Sequence, residues 1–431
     1  MSGRARHFLR DSVRLQAGAV FVALAHVASS VILARQLGST EQGLWYGALT
    51  LFGFLYLLGS LGFATTAISG VAAAGSREGV TRWLGWLART WVALAVGVLL
   101  AGLVLVRPAA EYVFDERAVG FPALMLCATP LLEVPRTIAR AALEGTRRML
   151  SATLLDGGLE LLRAAAVCTA VVVEPTLMSA VWGHLLGVAL GVPWAVGLYA
   201  RARRTGADLP ASRTLFAAAR RARVRDHARG GVELGIGRLA RGFVSEQAPI
   251  LLLMRFAEPA WIAYFRIAHR LLSLPFLATQ SVARVSVPAF GELVRAADWR
   301  GLASTYWRVT AWTGGLRCAA FAVWIPLVPL VTRRLYPPGY ADAIWTLALV
   351  FGPGLAALTF SAAVEAFYVA TGTIRSSLRI NTALGLGTVA LLVALSASFG
   401  ALGTAWALTI GAVASLYHHA RIAAELRRRC G

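Results

Sequence analysis

Arg266 and Arg270 stand four residues apart, with His269 beside them, in an otherwise apolar stretch; Arg238 and Arg241 stand three apart in another. In a helix, both spacings put the two side chains on one face. Guanidinium groups paired in this way suit oxyanions, because each planar, permanently charged fork can bind two phosphate or carboxylate oxygens at once. A second constellation is mixed in sign. Glu133, Arg136 and Arg140 recur at helical spacing, and so do Asp156, Glu160 and Arg163. Such rows either neutralise one another as ion pairs or keep a carboxylate that takes up a proton or a sodium ion, since burial favours the neutral form of an acid. Glu246, Glu365 and Glu233 are further carboxylates in apolar segments, and His26, His184 and His269 lie in apolar runs. Each histidine is either a proton relay or simply packed.

The elements that must position these groups are membrane-spanning helices. About 20 consecutive apolar residues cross a bilayer as a helix. About twelve stretches of that length fill the chain: 15–35, 44–66, 83–106, 118–139, 150–173, 177–200, 231–254, 261–287, 306–331, 342–364, 377–398 and 402–420. With 58% hydrophobic and 15% charged residues, the composition fits an all-α polytopic membrane protein and not a soluble domain. A central arginine costs about 2.5–3.5 kcal/mol on insertion scales, so it is expected to face a cavity or a partner. The connections divide by charge. Arg4–Arg14, Arg77 with Arg82, Arg140 with Arg147 and Arg148, the run Arg201–Arg229 and Arg421–Arg429 fall on one side of a twelve-helix arrangement. Short mixed loops such as Arg107–Arg117 fall on the other. By the positive-inside rule both termini are cytoplasmic.

The basic stretch 201–230 divides the chain into 1–200 and 231–431, each with six predicted helices. Within it Leu215, Phe216, Ala219 and Ala222 alternate with arginines, which suits either an amphipathic helix on an anionic leaflet or a solvated positive loop. The halves echo each other. Leu33-Ala34-Arg35 followed by Gly43–Tyr46 matches Leu253-Met254-Arg255 followed by Ile262–Phe265, and Gly145–Arg148 matches Gly372–Arg375, at offsets of 220 and 227 residues. A duplicated six-helix unit is a transporter signature.

Several chemistries are excluded. All 42 basic residues are arginine, so neither a GxxxxGK[ST] phosphate loop nor a lysine Schiff base can be built. Cys127, Cys168, Cys318 and Cys430 form no CxxC pair and suggest neither zinc nor disulfides. The glycine-rich Gly235–Ala240 lies in an apolar helix with no strand before it, against a dinucleotide site. The basic start followed by a long apolar run is expected to be an uncleaved first helix. No cofactor and no nucleic-acid partner is expected.

The order of short motifs resembles the polysaccharide flippases of the multidrug/oligosaccharidyl-lipid/polysaccharide exporter superfamily. The resemblance rests on Ala34-Arg35-Gln36-Leu37-Gly38 with Gly43-Leu44-Trp45, on Gly59–Thr65, on Val287-Pro288 with Glu292-Leu293, on Leu335–Tyr340 and on Gly400–Trp406. It implies two six-helix bundles around a cavity that opens alternately to each side. It also implies a substrate in which a polyprenyl pyrophosphate carries an oligosaccharide, moved across a bacterial cytoplasmic membrane. On that footing Arg238, Arg241, Arg266 and Arg270 are expected to bind the anionic headgroup, while Asp156, Glu160, Glu246 and Glu365 are candidates for coupling to H+ or Na+. Pro249 beside Glu246 departs from the family pattern and is expected to perturb that helix. A glycan polymerase, glycosyltransferases and anionic lipids are the expected partners. Two rival functions stand beside this one: a cation-coupled exporter of small molecules, and a membrane glycan polymerase or transferase whose acids would be Glu111, Asp115 and Glu116.

Overall fold

The computed structural model describes residues 3–60, 62–206, 208–228, 231–232 and 247–430, without the side chains of 3–19, 58–59, 278–285 and 287–288. Most of the predicted seventh span lies outside these residues, and with it Glu233, Arg238, Arg241 and Glu246. Among the described residues every regular element is a helix. This is the arrangement that satisfies backbone polar groups inside hydrocarbon without help from water. Two compact units are formed, Met1–Arg255 and Phe256–Gly431.

In the first unit, α1 (Gly3–Ser60) holds two of the predicted spans. They are separated at Gly38, where φ is +73° and ψ 177°, a combination open in practice only to glycine. Gln42 Nε2 donates to the Ser30 carbonyl at 3.0 Å and so ties the two arms together across the break. Next come α2 (Phe63–Ala73) and α3 (Arg77–Pro108), the latter started by Ser76, whose hydroxyl accepts from Gly79 N at 3.2 Å. The fourth span is broken into α4 (Arg117–Leu126), α5 (Thr129–Leu132) and α6 (Val134–Gly145), with Pro130 and Pro135 opening the last two pieces. A long hairpin follows, α7 (Met149–Val173) and α8 (Leu177–Arg204), and then the short α9 (Ser212–Arg221). Phe63, Trp86, Leu143, Leu155 and Leu209 are buried together in the core of this unit.

The closeness of α7 and α8 has a sequence cause. Gly183, Gly187 and Gly191 recur every four residues along α8. A Cβ added at Gly183 would come 2.7 Å from the Val167 Cα, and one at Gly187 2.5 Å from the Arg163 Cα. Small residues at this spacing let helices in a membrane pack backbone to backbone.

In the second unit the helix Pro259–Ser273 passes through a 3-10 turn, Leu274–Thr279, into Gln280–Arg295. Trp299–Leu335 is a single long helix. The next span is broken, like the fourth: Tyr340–Leu358, a 3-10 turn at Thr359–Ala363, then Val364–Ala370. Ile374–Ala414 again joins two predicted spans, separated at Gly400 (φ +55°, ψ −129°), and Tyr417–Cys430 closes the chain. At Pro249 the chain has just changed from π-helical at Gln247 to the α-helix Ala248–Phe256.

Among the described residues six helices are long and apolar enough to cross a membrane, or seven if the bent pair ending at Gly145 counts as one span. Because Val20–Leu57 covers most of two predicted spans and Ile374–Cys430 contains two, the result is compatible with twelve. Large apolar side chains such as Val104, Val173, Trp312 and Leu386 are exposed, as a hydrocarbon solvent requires.

One turn type recurs. After α6, Arg148 N bonds the Leu143 carbonyl and Arg147 N the Glu144 carbonyl; after Val364–Ala370, Thr373 N bonds Tyr368 and Gly372 N bonds Val369. Both are Schellman caps with a left-handed residue, Arg147 at φ +58° and Gly372 at +70°. They lie 225 residues apart, but the same cap also follows Gln280–Arg295, where Asp298 N bonds Leu293, Ala297 N bonds Val294 and Ala297 stands at φ +54°, so the turn does not by itself mark a repeat.

Candidate functional site

α6 and α7 present their charged rows to each other. Arg136 is the hub: Nη1 donates to Glu133 Oε1 at 2.9 Å, and Nη2 lies 3.3 Å from Asp156 Oδ1 and 3.6 Å from Glu160 Oε1. One turn along, Arg140 Nε donates to Glu144 Oε1 at 2.8 Å and stands 3.5 Å from Asp156 Oδ2. Arg163 pairs with Glu160 on α7. From α1, His26 Nε2 reaches Glu160 Oε2 at 3.3 Å, and the Tyr56 hydroxyl donates to Glu133 Oε2 at 3.2 Å. Glu133 is buried, while Arg136, Asp156, Glu160 and Arg163 are half-buried.

A narrow cleft opens onto this cluster, lined on the polar side by Glu133, Arg136, Glu160 and Arg163 and on the other by Leu159, Val188 and Gly191. It has room for roughly one water molecule. The glycine contact between α7 and α8 holds Arg163 against α8, and the broken fourth span presents the row 133–144 at its angle. Four carboxylates (Glu133, Glu144, Asp156, Glu160) face three guanidinium groups (Arg136, Arg140, Arg163). Carboxylates thus outnumber guanidinium groups by one, and His26 sits on Glu160 as a further basic group.

Asp156 and Glu160, expected as ion-coupling residues, are thus brought together; both are ion-paired. Glu365 belongs to the second unit and is exposed on Val364–Ala370. Arg266 and Arg270 sit one turn apart on Pro259–Ser273, half-buried, beside the buried face formed by Phe265, Ile267 and Leu271. The His269 ring packs near Phe351 and Phe265, at centroid distances of 6.1 and 6.5 Å. Arg238, Arg241 and Glu246 fall outside the described residues. Arg35 and Arg255 are exposed. Glu111 of the acidic loop is bridged to Arg117 at 2.6 Å, while burial raises the pKa of Glu116. Among the described residues no group of three or more His, Cys, Asp or Glu side chains is arranged to hold a metal ion.

Sequence reasoning missed Arg317. It is buried in Trp299–Leu335, where its Nη1 donates to the Thr359 carbonyl at 3.2 Å and the Leu358 carbonyl at 3.4 Å. Its guanidinium also stands 4.9 Å from the Phe276 ring centre. It donates across the break after Leu358, where the Leu358 carbonyl also accepts from the Ser361 hydroxyl at 2.7 Å, and its positive charge suits the C-terminal end of that helix. The signal was available, since Arg317 is the sole charge in the apolar run 312–332. Tyr56 and Glu144, which complete the cluster in the first unit, were missed as well; the latter sits four residues from Arg140 at ordinary ion-pair spacing.

The fold is that of the MOP superfamily of membrane transporters. An inward-facing multidrug resistance MATE family transporter of that superfamily matches with a TM-score of 0.71 at 15% identity, over 94% of this chain and 96% of the other. The lipid II flippase MurJ in an inward closed conformation matches at 0.74 and 13% identity, over 95% of this chain and 87% of its own. A MOP transporter from Pyrococcus furiosus, described as having reverse polarity in its binding pocket, matches at 0.62 and 15% identity, over 97% and 96%. Residues 8–294, two thirds of the sequence, match the model of one family, described as polysaccharide biosynthesis protein, and the chain belongs to that family. No curated protein sequence matches it.

Proposed function

We propose that the protein is a flippase. It would carry a polyprenyl-pyrophosphate-linked oligosaccharide across the bacterial cytoplasmic membrane by alternating access, for assembly of surface polysaccharide. The observation that carries this reading is one conjunction: membership of a polysaccharide-biosynthesis family, on a transporter fold, with arginines held inside apolar helices. A diphosphate and a glycan cannot enter hydrocarbon, whereas a polyprenyl tail can remain there, so the protein has to offer the headgroup a wet, cationic path. Arg266 and Arg270 are spaced to grip neighbouring phosphate oxygens. Arg238 and Arg241 join them by the same spacing argument. The surplus carboxylate of the Glu133–Glu160 cluster is the seat of the driving cation, H+ or Na+, with Asp156 and Glu160 as its ligands. The arginine-rich connections set both termini on the cytoplasmic side, where glycosyltransferases deliver the substrate; a polymerase receives it beyond the membrane. The protein itself performs no covalent step.

The test is genetic and biochemical. Cells that depend on this protein for surface glycan are given Arg266→Ala with Arg270→Ala. Surface glycan should vanish and its lipid-linked precursor accumulate while the protein remains in the membrane. Normal surface glycan would overturn the headgroup assignment. The surplus carboxylate also favours a second reading, a cation-coupled exporter of small molecules. Uptake of a fluorescent organic cation by vesicles holding the purified protein, driven by an ion gradient, would select that reading.

A further inference from the structure

The basic segment between the two predicted six-helix halves is a fixed part of the first unit. α9 lies against α3 so closely that a Cβ at Gly85 would stand 2.7 Å from the Ala218 Cβ. Arg89 Nη1 donates to the Arg220 carbonyl at 3.2 Å, and Trp86 Nε1 to the Val224 carbonyl at 3.0 Å. The His227 ring stacks on Trp83 at 3.9 Å. Before α9, Tyr199 holds the Pro210 carbonyl at 2.9 Å. A solvated loop needs none of these ties.

The docked helix divides its faces. Leu215 and Ala222 turn toward the core of the unit. Arg213, Phe216 and Arg220, spaced three and four apart, are exposed on another stripe, Phe216 by 61%. The Arg220 guanidinium lies 4.5 Å from the Phe216 ring. Arg221, Arg223 and Arg225 follow, also exposed, with Asp226 as the single carboxylate between 212 and 226.

The depth of this stripe is fixed by α3. The ties come from residues 83–89: Gly85 and Arg89 meet α9, while Trp83 and Trp86 meet His227 and Val224 just after it. The exposed apolar surface of α3 begins immediately beyond, at Val92, and continues through Val96 and Leu100. Trp86 is fully buried, so the level is set by this change itself, from a helix face covered by the 212–227 segment to a face left to lipid, which marks the edge of the hydrocarbon. At that level an exposed phenylalanine flanked by guanidinium groups meets phosphate on one side and acyl carbons on the other.

We propose that the Arg213–Phe216–Arg220 stripe of α9 is a binding surface for anionic phospholipid headgroups, with the Phe216 ring at the boundary of the acyl chains. The occupant is the leaflet itself and not a soluble partner. The net positive charge selects anionic over zwitterionic lipid, and the rigid docking removes the ordering cost that a flexible basic loop would carry. This surface is independent of the transported substrate, so it stands or falls separately from the flippase reading.

The test uses the full chain in detergent, titrated with mixed phosphatidylglycerol and phosphatidylcholine, with retained lipids counted by native mass spectrometry. Wild type should retain phosphatidylglycerol in preference. Replacing Arg213, Arg220 and Arg221 with glutamine should lower that preference by roughly fivefold per arginine, while the same three positions as lysine should keep most of it. The lysine variant, together with thermal melting of each protein, separates lost binding from lost folding. Equal retention of the two lipids by wild type would overturn the proposal. So would an unchanged preference in the glutamine variant, or an equal fall when Arg427, Arg428 and Arg429 are changed instead.

Discussion

Gly187 on α8 lies so close to Arg163 on α7 that any side chain at 187 would collide with backbone, the Cβ standing 2.5 Å from the Arg163 Cα. This contact links the apolar packing of the hairpin to its charged cluster, because Arg163 is the partner of Glu160.

Gly187→Ala should therefore destabilise the protein by about 1–3 kcal/mol through forced separation of the helices. Thermal melting in detergent checks this, with Gly197→Ala as control, since nothing stands within 4 Å of a Cβ there. A melting temperature for Gly187→Ala equal to the control would contradict the packing argument.

Arg136→Ala strips one guanidinium from Glu133, Asp156 and Glu160 together. The loss should be on the order of 3 kcal/mol, the lower end for breaking a buried pair because this one is half-exposed to the cleft. Adding Glu133→Gln should restore part of it. A double-mutant cycle on melting free energies reads the coupling, and strict additivity would show that the pair does not interact.

Gly38→Ala and Gly400→Ala should each cost about 1–3 kcal/mol, since both positions need backbone angles that an L side chain resists. The yield of folded, monodisperse protein and its melting temperature report the effect.

Arg317→Ala takes the guanidinium donor from the Thr359 carbonyl and from the Leu358 carbonyl, which keeps the Ser361 hydroxyl, a loss of about 1–3 kcal/mol. Arg317→Lys should recover only part of it, because an ammonium group cannot reproduce the planar fork. Hydrogen exchange over 355–363 should rise in both variants, and more in the alanine one.

Glu160→Gln removes the carboxylate shared by Arg136, Arg163 and His26. On the proposed coupling, transport in vesicles should lose its dependence on the ion gradient while surviving along a substrate gradient. An unchanged gradient dependence would remove Glu160 from the coupling role.

The all-helical, membrane-spanning character was legible in the sequence because twenty-residue apolar runs have few other uses. So were the breaks at Gly38 and Gly400, which sit inside the short motifs that carried the family resemblance. The charged rows on α6 and α7 were visible as spacing, but their meeting was not. It depends on the broken fourth span and on the Gly183–Gly187–Gly191 ladder, which acts between helices and leaves no mark within either row. Arg317 was hidden for a related reason: its acceptors are carbonyls at a helix break 41 residues later in the chain, and backbone groups carry no letter in a sequence.

The near cancellation inside the α6–α7 cluster has an electrical consequence. A single elementary charge responds to transmembrane voltage with at most about 2.3 kcal/mol per 100 mV. With three of its four carboxylates matched by guanidinium groups, this cluster offers the field at most one charge to pull on, and none when that charge is neutralised by a bound cation or by a proton on His26. The first unit would then change shape under a resting potential with little electrical work of its own, and the cycle would feel voltage chiefly through whatever ion or headgroup is aboard.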